Sequence, residues 1–403
     1  MKGFVRRHPK LVVVSGLIVA IAFFAAGSYV QLQRTVPELE LVESTQTALA
    51  EPVSGEIVWP ELGQAGIAVR GVGLIGETAN QQPQPIASLV KVMTAHLILK
   101  NHPLDPGAPG AEVEFTPEDV QNYHARAANA ESVVLVSAGA KMTERELLRG
   151  LLLASGNNLA DVLARWHAGS IDAFVQEMNA EAQALGMTNT IYSDAAGLLP
   201  SSVSTAHDQI LLANAAMSNP TFAEIVREAQ ASLPGAGVVY NTNALIGSNG
   251  IVGIKTGWTE EAGACFVFAA EVPVGDTTAV LVGAVMGQIT LADAFDRTTE
   301  LIGAGGSQIT QVHLGKANEV AGQITSRWGE TADAVLAEDV TVFLVPGMAI
   351  ERAINLVDTE TVEEGTDVGH VTFSAGEQVI EVPLRASAPV AGPDLVWRLT
   401  RLQ

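Results

Sequence analysis

The 403-residue chain predicts an α/β protein in three parts: an apolar N-terminal helix, a large α/β domain and a small C-terminal β domain. Three observations carry this reading. Leu11 to Val30 is a run of twenty residues without a charge. Short apolar runs of strand length bracket a mainly helical stretch from about 116 to 230. After Gly306 the texture changes to brief β-rich runs punctuated by Gly, Pro and Asp.

The first element is the apolar run. Roughly twenty apolar residues span a bilayer as a helix. Lys2, Arg6, Arg7 and Lys10 precede it, and flanking positive charge keeps an N-terminus in the cytoplasm. The expectation is a single-pass cell-membrane protein: 1–10 cytoplasmic, 11–30 membrane-spanning, the remainder extracytoplasmic. The alternative is a cleaved signal peptide with its cleavage site among Ala25, Ala26, Gly27 and Ser28, which gives a secreted protein. Residues 31–60 are acidic, contain Pro37, Pro52 and Pro60, and read as a linker.

The large domain is expected over 61–305. Gly66 to Val69 and Val72 to Ile75 read as a strand pair. A helix follows from about Ser88 to Lys100, with Val92, Met93, Leu97 and Ile98 at helical spacing. Thr143-Glu144-Arg145-Glu146 is a helix start ahead of the apolar face Leu147, Leu148, Leu151 and Leu152. Ile171 to Leu185 and His207 to Met217 are further helices. Strands return at Gly250 to Ile254, Cys265 to Val272 and Thr278 to Met286, and Ala292 to Ile302 is a helix. The β domain is expected over 309–392, and 393–403 is a short tail read as a terminal strand or helix turn.

Composition excludes some functions. The formal net charge of −22 argues against nucleic acid, whose phosphates need Lys and Arg. It also makes any anionic substrate depend on local cations. A single cysteine, Cys265, excludes an intrachain disulfide framework and reads as a small buried hydrophobe.

Three short strings carry chemistry together: Ser88-Leu89-Val90-Lys91, Ser155-Gly156-Asn157 and Lys255-Thr256-Gly257. A serine hydroxyl needs a base to become a nucleophile. On a helix, Lys91 lies one turn from Ser88 on the same face. Lysine serves as a base when burial or a second cation lowers its pKa, and Leu89, Val90, Val92 and Lys255 suit that. A serine at a helix N-terminus also has its backbone N–H free for an oxyanion. Ser155 is a candidate proton relay toward the leaving amine, Asn157 presents its amide to the substrate peptide, and Gly156 permits a tight turn. Lys255 and Thr256 are candidates to hold a substrate carboxylate. Gly257 lets a peptide approach the backbone, and the Trp258 N–H is a second oxyanion donor. Each string alone has a bland structural reading; the three in this order give serine acyl transfer.

The resemblance extends beyond the strings. Pro85 to Ala95, Leu151 to Asn158, Ser204-Thr205-Ala206-His207-Asp208 and Lys255 to Cys265 resemble segments of the low-molecular-mass penicillin-binding proteins, the serine D-alanyl-D-alanine carboxypeptidases. The likeness covers about 62–304. It implies a serine β-lactamase/penicillin-binding-protein-like catalytic domain, an antiparallel sheet with a helical subdomain, and a C-terminal β domain. It implies Ser88 as acylated nucleophile, Lys91 as base and Ser155 as shuttle. Asn157, Lys255, Thr256, Gly257 and Trp258 would bind substrate. The substrate would be the D-Ala-D-Ala end of a peptidoglycan stem peptide, β-lactams would acylate the same serine, and no metal or organic cofactor is required. Two features depart from the family pattern: the tail is too short for a C-terminal amphipathic anchor, and the segment before Ser88 carries little charge.

Rival readings remain. A class A β-lactamase normally has Ser-Asp-Asn as its second string and a deacylating Glu; here Ala184 to Pro200 contains no Glu. A transpeptidase or endopeptidase shares the acyl-enzyme and differs in what attacks it. A membrane-anchored β-lactam sensor would continue into a cytoplasmic signalling segment, whereas only about ten residues precede the helix.

Overall fold

The computed structural model describes residues 9–43 and 57–401. Lys2, Arg6, Arg7 and Pro52 lie outside the described residues. Helix α1 spans Pro9–Gln33, a little longer at both ends than the charge-free run. Its most apolar stretch of 18 residues has a mean hydropathy of 2.4, and none of that stretch is buried against the rest of the protein. At 1.5 Å per residue α1 measures about 37 Å, enough to cross a hydrocarbon core of about 30 Å.

Part of the segment read as a 31–60 linker forms a strand. Strand β1 (Glu40–Glu43) pairs antiparallel with the C-terminal sheet, with Glu40 opposite Thr325 and Glu43 opposite Gly322. The acidic, Pro-containing composition hides it. Yet Glu38-Leu39-Glu40-Leu41 alternates with a strand's period of two, and Pro37 precedes the strand, where its missing N–H disturbs no ladder.

The large domain starts with β2 (Gln64–Val69) and β3 (Gly73–Glu77). The helices then come in succession: α2 (Val90–Asn101), α3 (Pro117–Ala128), α4 (Glu144–Leu152), α5 (Asn157–Ala168), α6 (Ile171–Ala184), α7 (Ala206–Met217) and α8 (Pro220–Val226). Strands β4 (Ile251–Thr259), β5 (Gly263–Val274) and β6 (Thr277–Gln288) follow, and then α9 (Leu291–Gly306). Thr116, Thr143 and Thr290 close capping boxes with Asp119, Glu146 and Asp293, which satisfies N–H groups that a helix start leaves unpaired.

The five strands form one antiparallel sheet in the order β4-β5-β6-β2-β3. Strand β5 explains why the domain has two layers of helix. Cys265, Val267 and Ala269 face the core shared with the helical subdomain, whereas Ala264, Phe266, Phe268 and Ala270 face the core beneath α9. Alternation of side chains by two places each set on one face. Cys265 is fully buried and its thiol is pushed up to about 12 by that burial, so it packs as a small hydrophobe.

The C-terminal domain contains β7 (Thr310–Gly315), β8 (Val320–Thr325), β9 (Thr331–Leu336), β10 (Val340–Leu344), β11 (Glu351–Leu356), β12 (Asp367–Ala375) and β13 (Gln378–Ala386). A six-stranded sheet runs β1-β8-β9-β13-β12-β11, and β7 pairs with β10. The domain docks under one end of the catalytic sheet. Glu377 N donates to Val72 O in the β2–β3 turn at 2.9 Å, and Gln311 Nε2 donates to Asp276 Oδ1 in the β5–β6 turn at 2.6 Å. Gly257 of β4 pairs with Cys265 near the opposite end of β5, so the third string lies at the end of the sheet away from this domain. The tail is a short helix, α10 (Leu395–Thr400), capped by Asp394. Its arginines reach back to α1 and beyond: Arg398 donates to Leu32 O at 3.2 Å, and Arg401 to Thr35 O at 3.0 Å and Arg34 O at 2.8 Å. Leu32 O is one of the carbonyls that a helix C-terminus leaves unpaired.

Candidate active site

Ser88 sits in a one-turn 3₁₀ segment, Ala87–Leu89, that leads directly into α2. Leu89, Val90, Val92 and Met93 are fully buried, so this turn and the start of α2 are fixed in the core. Lys91 is fully buried too, and its Nζ lies 2.7 Å from Ser88 Oγ and 2.6 Å from Ala196 O. Burial holds its pKa well below the ordinary lysine value, and the nearby Lys255 cation lowers it further. Both effects act toward the neutral amine that a base requires.

Gly197 shapes the floor beneath the nucleophile. Its φ is +83°, and a Cβ there would lie 1.8 Å from Ala87 O and 3.1 Å from Ser88 N. Both contacts are backbone, so no side-chain rotation relieves them. Gly197→Ala is expected to shift the Ser88 turn and slow penicillin acylation about hundredfold, the usual cost of misplacing a reacting group by about 1 Å. Acylation rate and melting temperature, measured together, check this; a wild-type rate would refute it.

The second string lies between two helices rather than at a simple helix stop. Helix α4 ends at Leu152, and Asn157 is the first residue of α5. The tight turn expected at Gly156 falls at Ser155 instead. Ser155 takes the left-handed conformation, at φ +58°, whereas Gly156 has φ −61°. Glycine at 156 relieves a close approach: a Cβ would lie 3.0 Å from Val134 Cγ2 and 3.1 Å from Gly150 O, tighter than most such contacts. The Ser155 turn aims its hydroxyl inward, and its Oγ donates to Ser88 Oγ at 3.1 Å. Asn157 is buried, with its Nδ2 donating to Glu131 Oε2 at 3.1 Å.

The third string lies on β4, the sheet edge next to the nucleophile. A Cβ at Gly257 would lie 3.0 Å from Ser88 N and 3.2 Å from Ile86 O, so a side chain there would crowd the nucleophile's backbone. Trp258 is 58% exposed beside it. Lys255, a candidate to hold a carboxylate, is buried on this strand. It is 1% exposed, with Nζ 2.9 Å from Thr256 O and 3.4 Å from Thr242 Oγ1. Burial lowers its pKa to about 7. The hydroxyls of Thr242 and Thr256, 2.8 Å apart, are what the cleft presents, with Lys255 polarising Thr242 from behind.

The strings thus converge on one cleft of about 460 Å³, lined by Ser88, Ser155, Asn157, Thr256, Gly257 and Trp258. Lys91 and Lys255 lie just behind its wall. Sequence reasoning missed Thr242, Ala196, Gly197 and Glu131. Thr242 is brought in by its N–H bond to Leu153 O at 3.0 Å, beside the second string. The signal for Gly197 was present as Ala195-Ala196-Gly197, a small-residue run in a loop, but small residues in loops are common. Among the described residues no cluster of three His, Cys, Asp or Glu side chains is placed to hold a metal.

Comparisons with known proteins agree with this geometry. Residues 73–288 match the family model described as D-alanyl-D-alanine carboxypeptidase. The chain is 26% identical over 348 residues to the D-alanyl-D-alanine carboxypeptidase DacF of Bacillus subtilis, covering 82% of this chain and 86% of the relative. It is 35% identical over 191 residues to a D-alanyl-D-alanine endopeptidase of Pseudomonas aeruginosa, covering 45% of this chain and 58% of the relative. The solved structure of the Streptomyces K15 DD-transpeptidase has a TM-score of 0.55 at 26% identity, covering 62% of this chain and 99% of that one. The penicillin-binding-protein fold, the single cleft in which all three strings meet and the family match over more than half of its length agree: the chain belongs to the serine-type D-alanyl-D-alanine carboxypeptidase family.

Proposed function

We propose that the chain removes the terminal D-alanine from peptidoglycan stem peptides ending in D-Ala-D-Ala, acting outside the cell membrane to which α1 anchors it. The observation that carries this is the buried Lys91 amine 2.7 Å from Ser88 Oγ, with Ser155 Oγ on the same hydroxyl. Neutral Lys91 takes the Ser88 proton as Oγ attacks the carbonyl carbon of the penultimate D-alanine. The C–N bond then breaks, and the proton passes through Ser155 to the leaving amine. Water, deprotonated by Lys91, attacks the ester, the carboxyl product leaves and Ser88 recovers its proton. Thr242 and Thr256, backed by Lys255, hold the substrate carboxylate; the backbone N–H groups of Ser88 and Trp258 receive the oxyanion. β-Lactams, which carry a strained amide and a carboxylate, enter the same cleft and acylate Ser88.

The first test is D-alanine release from diacetyl-Lys-D-Ala-D-Ala by the full chain in detergent. Release supports the carboxypeptidase reading. The Pseudomonas endopeptidase relative favours a second reading, cleavage of D-Ala cross-links. Penicillin acylation with cleavage of a cross-linked muropeptide dimer, but without release from the tripeptide, would establish that reading instead. The anchor reading predicts sedimentation with membranes and an N-terminus upstream of Ser28.

A further inference from the structure

Glu131 belongs to none of the three strings, yet it touches one of them. It follows Ala130, which has φ +57°, in the segment between α3 and α4. That segment is pinned to the second string. Asn157 N donates to Ser132 O at 2.8 Å, Asn158 Nδ2 donates to Val134 O at 2.9 Å, and Val134 N donates to Asn158 Oδ1 at 2.9 Å. The Glu131 side chain is therefore delivered to a fixed place on the cleft wall.

Its Oε2 accepts two hydrogen bonds, from Arg126 Nη1 at 2.7 Å and from Asn157 Nδ2 at 3.1 Å. Arg126 also donates to Asp161 Oδ2, from Nε at 3.0 Å and Nη2 at 2.5 Å. Asp161 stands four residues beyond Asn157 on α5, one turn along the same face. Asn122 Nδ2 donates to the same Asp161 oxygen at 2.7 Å. The result is a continuous chain of hydrogen-bonded side chains: Asn157, Glu131, Arg126, Asp161.

Donor and acceptor chemistry gives this chain a direction. A guanidinium only donates and an ionised carboxylate only accepts, whereas an asparagine amide has one face of each kind. Arg126 fixes Glu131 as the acceptor, so Asn157 must turn its NH₂ group toward Glu131. The opposite orientation would set two oxygens against each other and lose the bond. The locked orientation leaves Asn157 Oδ1 buried and without a hydrogen-bond partner among the described residues. An unpaired buried carbonyl is costly, and a charge-assisted bond on the other end of the same amide is what holds it there.

We propose that Glu131 is a positioning residue for acylation: it selects one of the two amide orientations of Asn157 and keeps the asparagine oxygen available as an acceptor inside the site. The inference rests on the serine acylation reading above. Without Glu131, Asn157 rotates between orientations and the productive one is only partly populated.

The test is the second-order rate of acylation by a fluorescent penicillin, measured on the full chain in detergent. Glu131→Ala is expected to slow acylation about ten- to hundredfold. Glu131→Gln is expected to stay close to wild type, because Arg126 turns the glutamine oxygen to the same two donors. Asn157→Ala should be slow, and the Glu131→Ala/Asn157→Ala double variant no slower than Asn157→Ala, since the effect of Glu131 passes through Asn157. If Glu131→Ala melts too low to assay, Glu131→Met takes its place, similar in size but without the acceptor. A wild-type rate in the Ala or Met variant overturns the inference. So does a double variant slowed by the product of the single effects, or a Gln variant as slow as Ala. A wild-type chain that is not acylated at all would instead remove the acylation reading and this inference with it.

Discussion

Ser88→Ala is expected to abolish covalent labelling by penicillin and to reduce D-alanine release by roughly 10⁶-fold, the scale seen when the nucleophile of a serine hydrolase is removed. The fold should survive, since the hydroxyl makes few contacts. Its recorded partners are Lys91 and Ser155, both of which keep other hydrogen-bonding neighbours or reach the cleft. Labelling by mass shift, followed by digestion to locate the modified peptide, checks both the loss and the site. Retained labelling elsewhere would place the nucleophile outside the first string. Because substrate-holding groups stay in place, the variant should still bind stem peptide, and a binding measurement separates lost chemistry from lost recognition.

Lys91→Ala is expected to lower acylation by about 10³-fold, within the range of general-base contributions. Its melting temperature should not fall in proportion, because a fully buried amine carries a desolvation cost that the variant removes. The wild-type pH profile should show the two lysines acting in opposite senses. In the proposed mechanism Lys91 acts as the neutral amine, so acylation should fall as the pH drops through its lowered pKa and the amine gains a proton. In the same mechanism Lys255 acts as the cation, so carboxylate binding should weaken as the pH rises past about 7 and it loses its proton. The first limb should appear in the chemical step and the second in KM. Lys91→Ala should erase the acid limb while keeping the alkaline one; an unchanged acid limb would exclude Lys91 as the base.

Much of this site is legible in the sequence because its chemistry is written in short-range spacing. Ser88 and Lys91 are one helical turn apart, and Lys255-Thr256-Gly257 occupies one strand, so secondary structure alone predicts their neighbourhood. The site partners without a motif were invisible for the same reason. Glu131 meets Asn157 across 26 residues, and Lys91 meets Ala196 across 105, through contacts that only the packed helices define. The burial of Lys255 goes with the apolar run Ile251 to Ile254 ahead of it on the same strand. The helices were well marked by caps, Thr143 with Glu146 above all. Strand β1 was missed because its pairing partner lies at Thr325, far beyond the reach of any local pattern.

That distant pairing also sets an order of assembly. The β domain is discontinuous: its first strand is made near the start of the chain, and the strand it pairs with follows the whole catalytic domain, 285 residues from Glu40 to Thr325. During synthesis β1 must wait, and contacts of such separation form late because the intervening loop has to close first. The catalytic domain, whose sheet and helices lie between the two partners, has all its own residues in hand before β1 can be used. Chain closure therefore comes last, when the C-terminal sheet receives β1 and α10 settles on the end of α1. A polypeptide truncated after the catalytic domain would retain every residue of the cleft yet leave β1 with no ladder to join.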